Sequence, residues 1–106
     1  MAKESMNENM ITTDYHYWRK EKSREVIEHL ALALTCRQTP KSREHIGIAI
    51  RNAAKLFALE LNGADGEPEL LAALTDEITD SVMRSPQNAK ELIDAAVAKL
   101  RPDEKL

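Results

Sequence analysis

Apolar residues return at intervals of three and four along four stretches of the chain, and the stretches are separated by proline, glycine and capping residues. The first stripe runs Tyr15, Trp18, Lys22, Val26, Ile27, Leu30 and Leu34. It predicts a helix capped by Asp14 and ending near Cys36, a rod of ~33 Å at the usual rise per residue. Its second half, Leu30-Ala31-Leu32-Ala33-Leu34, is apolar almost all round and is expected to be buried on more than one side. Its first half is charged all round apart from the rings, which is how a helix reads when it runs past its core.

Thr39-Pro40 combines a capping hydroxyl with proline at the first helical position, where the missing N–H has no intrahelical partner to lose. A second helix follows, with Ile46, Ile50, Ala53, Ala54, Phe57 and Leu61 on its buried face and Asn62-Gly63 as a left-handed stop. Gly47 lies inside it at a cost of about 1 kcal/mol relative to alanine, which points to close helix contact there. Pro68, flanked by Glu67 and Glu69, opens a third helix with Leu70, Leu71, Leu74, Ile78 and Val82 inward. Ser85-Pro86 repeats the cap-plus-proline signal for a fourth, which carries Ala89, Leu92, Ile93, Ala96, Val97 and Leu100 and stops at Pro102.

No stretch alternates as a strand does, so the fold class is all-α, a four-helix bundle with a long first helix and short connections. At 106 residues the chain suits one domain, placed at residues 13–101, with flexible tails over 1–12 and 102–106. Apolar residues make up 42% of the chain but only four rings are present, so the core must be assembled from Ala, Leu, Ile and Val. A single cysteine, Cys36, excludes an intramolecular disulfide and favours a reducing compartment; it is expected as a small buried hydrophobe. Residues 1–10 contain no apolar signal-type run, and no later run approaches membrane-spanning length. The expected localisation is cytoplasmic, with no membrane partner.

Charge divides the chain. Residues 1–62 carry ten Lys/Arg against eight Asp/Glu, and residues 63–106 carry five against ten, within a net charge of −3. The plainer explanation is a bundle whose basic and acidic helices face each other at their rims. The alternative is a nucleic-acid-binding accessory protein using Arg19, Lys20, Arg24, Lys41, Arg43, Arg51 and Lys55, since cations on phosphates supply most non-specific affinity. Against it stand the acidic total, the interleaved Glu21, Glu25, Glu28 and Glu44, and a pairing of Arg24 with Glu28 four residues on. Helices three and four are a poor helix-turn-helix. Only Gln87, Asn88 and Lys90 could read bases, while Glu69, Asp76, Glu77 and Asp80 would meet phosphates with the wrong sign.

Asp76, Glu77 and Asp80 form the densest carboxylate group, and a solvated face with Asp80 paired to Arg84 explains them without catalysis. His16, His29 and His45 are too dispersed for a metal site, and Glu25 with His29 supplies two ligands where zinc needs three or four. Residues 62–67 lack the alternating oxygens of a calcium loop, and phosphate-loop, nucleophile-elbow and zinc-protease motifs are missing from the sequence. No enzymatic activity, catalytic residue, metal or cofactor is expected.

Residues 15–25 remain, with three of the four rings set among the densest positive charge. Tyr15 and Trp18 share a face with Lys22, whereas Tyr17 points elsewhere because neighbours stand about 100° apart around a helix. Tyr, Trp and Arg are enriched at interface hot spots, which makes Tyr15, Tyr17, Trp18, Arg19 and Lys22 the expected protein-binding residues. The function expected is that of a small non-enzymatic interaction or regulatory protein that docks onto another protein. A homodimer in which the long first helices cross would cover the rings and the surplus apolar surface of residues 30–34.

Overall fold

The computed structural model describes residues 8–63 and 66–102, with side chains in the first helix described from Tyr15 onward. Four helices follow in order, α1 (Glu8–Leu34), α2 (Pro40–Asn62), α3 (Pro68–Arg84) and α4 (Ala89–Leu100), with a 3₁₀ turn at Pro86–Asn88 before the last. The all-α bundle, its long first helix and its short connections are as the periodicity predicts.

Local chemistry explains most boundaries. Thr39 Oγ1 accepts the Ser42 N–H at 3.0 Å and Pro40 opens α2, so cap and proline act together. Gly63 closes α2 with φ 76° and ψ −179°, a conformation that side chains other than glycine's rarely enter. Glu67 precedes α3 without a side-chain cap bond, and Glu69 lies in its first turn, where a carboxylate favours the helix dipole.

Four expectations are corrected. Asp14 does not cap α1: the helix already runs through residues 8–13, because no glycine or proline separates them from the rest. Residues 1–7 and 103–106 lie outside the described residues. Ser85 makes no side-chain cap bond; it ends α3 through its N–H to Ser81 O at 3.0 Å, and Pro86 begins a 3₁₀ turn closed by Asn88 N–H to Ser85 O at 2.9 Å. One residue that must finish a helix is not free to cap the next. Cys36 is exposed, since α1 stops at Leu34 and the chain has turned outward by residue 36. Leu32 is 62% exposed although Ala31 and Leu34 are buried, so the apolar end of α1 buries one side, not several.

The core joins all four helices through Ile27, Ile50, Phe57, Leu74, Ile78, Val82, Ile93 and Val97, each fully buried or nearly so. Alanines 31, 53, 54, 58, 89 and 96 fill the spaces between them and let the backbones approach closely. At Gly47 the neighbour is the end of a flexible side chain and not a backbone: an added Cβ would stand 3.2 Å from the Met83 methyl on α3. Buried hydroxyls are satisfied within their own helices: Thr75 donates to Leu71 O at 2.8 Å and Thr79 to Thr75 O at 2.7 Å.

Polar contacts at the rim fix the helix directions. Arg19 in the first half of α1 meets Glu60 near the end of α2, and Arg43 at the start of α2 donates to Met83 O at the end of α3 at 2.9 Å, so both pairs run antiparallel. Arg24 ties α1 to α4. Its guanidinium, buried against α4, bonds Asp94 at 2.6 Å, Glu28 at 3.0 Å and Lys90 O at 3.4 Å. Burial works to lower its pKa, but the hydrogen bonds and charges of Asp94 and Glu28 outweigh it and raise the value.

Candidate interaction surface

The rings stand on the outer side of α1. Tyr15, Tyr17 and Trp18 are 55%, 62% and 54% exposed, so none is absorbed into the core of the bundle. Tyr15 and Trp18, one turn apart, stack with centroids 6.3 Å apart and planes 13° from parallel. Arg19 lies over Tyr15 at 5.3 Å and Lys22 over Trp18 at 5.9 Å, while Lys20 covers Tyr17 at 5.5 Å. The structure thus brings Tyr15, Trp18, Arg19 and Lys22 into one patch and sets Tyr17 with Lys20 beside it on a different side of the helix.

The patch continues onto α2, through residues the sequence reading does not single out. Trp18, Lys22 and Val26 on α1 and Leu56 on α2 line a cavity of about 230 Å³, floored by Ser23, Arg19 and Glu60. A second cavity of about 430 Å³ adjoins it, lined by His16, Arg19, Leu56, Leu59, Glu60 and Gly63. Val26, Leu56 and Leu59 are 48%, 52% and 43% exposed, well beyond what core residues show. Ile48, Leu56 and Leu59 recur at helical spacing out of phase with the buried stripe of α2; that phase difference is the signal that could have found them.

Glu60 divides the two cavities. Its side chain is only 9% exposed, and its carboxylate is held by Arg19 at 2.6 Å and His16 Nδ1 at 3.1 Å. A carboxylate withdrawn from water needs such partners. The arrangement ties Arg19 to Glu60 between the two cavities, beside the apolar Val26, Leu56 and Leu59. No signal in a single sequence announces a contact between residues forty-odd positions apart.

The cations proposed for nucleic acid have other engagements. Arg24 is buried between Glu28 and Asp94, Arg19 holds Glu60, Arg51 meets Asp76 at 2.7 Å and Arg43 bonds the Met83 carbonyl. Lys20 lies over Tyr17, and Lys41 and Lys55 are exposed and form no ion pair among the described residues. Two pairs, Arg24 with Asp94 and Arg51 with Asp76, join the basic half of the chain to the acidic half, while Arg19 with Glu60 and Lys99 with Glu77 pair within one half. Asp76 pairs with Arg51, and Glu77 accepts from Lys99 and Ser81, each at 3.4 Å, whereas Asp80 and Arg84 are exposed and form no ion pair with each other.

Among the described residues no three His, Cys, Asp or Glu side chains converge as a metal site, and no helix is long and apolar enough to cross a membrane. No protein-family model, curated protein or solved structure matches the chain.

Proposed function

We propose that this chain is a small, cytoplasmic, non-enzymatic interaction or regulatory protein that docks onto another protein through the α1/α2 face and acts as a homodimer. One observation carries the reading: Trp18, stacked with the exposed Tyr15, lines a cavity with Val26 and Leu56, and Leu56 with Leu59 lines the cavity adjoining it. Single apolar residues on a surface need no explanation, but a contiguous patch with a pre-formed groove and a cationic edge resembles a binding face. Rigid rings lose little conformational entropy when covered, and Arg19 and Lys22 at the edge supply orientation.

The nucleic-acid alternative has less support, because the arginines it needs are spent on internal partners. Affinity capture from the source-cell extract tests the docking reading, with wild type compared against a Leu56→Glu/Leu59→Glu variant whose fold is checked by circular dichroism. Proteins retained by wild type and lost by the variant are expected. Identical protein recoveries from the two, or recovery of nucleic acid alone, would overturn it.

A further inference from the structure

The outward ridge of α1 has a pattern of its own. Tyr15, Trp18, Lys22, Glu25, His29 and Leu32 follow one another at alternating steps of three and four residues, and all six are exposed. Such steps trace one face of the helix, here the face pointing away from the seam α1 makes with its own bundle through Ile27, Ala31 and Leu34. Its residues, apolar and aromatic at the ends and oppositely charged at the centre, are complementary to themselves when the order is reversed.

We propose that the occupant is the same ridge of a second copy, laid antiparallel with the two-fold axis level with residues 23 and 24. In that register Tyr15 meets Leu32 of the second copy, Trp18 meets His29 and Lys22 meets Glu25, and each contact occurs twice, as two-fold symmetry requires. Apolar and aromatic contacts lie toward the two ends and opposite charges at the centre. Within one chain Lys22 and Glu25 already pair at 3.3 Å, each side chain half exposed, so two copies form an alternating cluster of four charges. A parallel alignment would instead oppose Lys22 to Lys22 and Glu25 to Glu25, which charge repulsion disfavours. Glu21 and Glu28 flank the ridge on one side and have the same sign, but Glu28 is already held by Arg24 at 3.0 Å. On the other side Arg19 is held by Glu60, and Val26 is free to add apolar area.

This inference rests on the self-association part of the proposed function and gives it a geometry; it assigns Tyr15 and Trp18 to the second copy and leaves the α2 side of the groove, Leu56 and Leu59, to a different protein. The contact extends ~26 Å along α1, shorter than the interfaces of tight dimers, so an affinity in the micromolar class is expected.

Sedimentation equilibrium at chain concentrations up to about 200 µM tests it, a range that populates contacts of this class. Wild type should dimerise. Lys22→Glu opposes glutamates at both central contacts and Glu25→Lys opposes lysines, so each variant alone should associate about tenfold or more weakly. An equimolar mixture of the two restores opposite charges at both contacts and should recover the wild-type association. A monomeric wild type, single variants that associate as wild type does, or a mixture that stays monomeric would each overturn the proposal. The Leu56→Glu/Leu59→Glu variant should still dimerise, so loss of docking and loss of dimerisation are read separately.

Discussion

Replacing Arg24 by methionine keeps an apolar stem reaching about as far as the arginine Nε and removes the guanidinium with its charge and donors. Three hydrogen bonds go with it, to Asp94, Glu28 and Lys90 O, and with them the principal polar link between α1 and α4. Hydrogen bonds to charged groups contribute about 1.5–3 kcal/mol each when removed from water, and exposed ion pairs only about 0–1 kcal/mol. Arg24 is 10% exposed at its side chain, but Asp94 is 50% and Glu28 32% exposed, so both carboxylates rehydrate when the guanidinium leaves. The loss should therefore fall between the two regimes, at about 1–3 kcal/mol, and lower the melting temperature by roughly 4–8 °C for each kcal/mol. Because the Arg24 pKa is raised in the fold, its contribution is fully present below the arginine value of the unfolded chain and is lost only as pH rises through the higher folded value. Urea unfolding followed by circular dichroism measures the change, and a cycle with Asp94→Asn separates the pair from the rest, since contacting residues should fail to add. An Arg24→Met protein within about 0.5 kcal/mol of wild type would show that apolar packing alone docks α4, and would refute the role given to this arginine.

Phe57→Ala, at the fully buried centre of the core, should cost about 3–5 kcal/mol in the same unfolding assay through lost burial and the cavity left behind. Gly63→Ala forces a Cβ onto a residue at φ 76° and should destabilise by about 1–3 kcal/mol, although nothing lies within 4 Å to clash with it. Gly47→Ala should go the other way. The atom it meets at 3.2 Å is the mobile end of Met83, so a gain of up to about 1 kcal/mol in helix propensity should survive as a higher denaturation midpoint.

The helices, their order and most of the core were legible because each boundary carries local chemistry: Thr39 with Pro40, Gly63, and Pro68 with Glu69 all act where they stand. The misreadings fall where one residue serves two elements or where nothing local marks an end. Ser85 finishes α3 before it could cap α4, and no breaker stands before Asp14. On α1 the exposed rings could be read from the density of charge around them. The α2 half of the surface was marked only by phase, Ile48, Leu56 and Leu59 standing off the buried stripe of α2, and the groove they make with α1 is placed by tertiary packing. Glu60 and Asp94 were hidden for a related reason, being placed by tertiary packing against Arg19 and Arg24.

Trp18 is the chain's one tryptophan and lies at the junction of the ridge and the groove, so its emission reports directly on whether another protein surface covers this face. At low concentration it should emit as a solvent-exposed indole open to acrylamide, in keeping with its 54% exposure. As the chain self-associates, the emission should move to shorter wavelength and the quenching should fall, with the same midpoint as dimerisation and without the shift in the Lys22→Glu variant. Emission and quenching that stay constant from dilute solution to the highest concentration, in wild type and in the presence of any protein captured by it, would contradict the claim that this face exists to be covered.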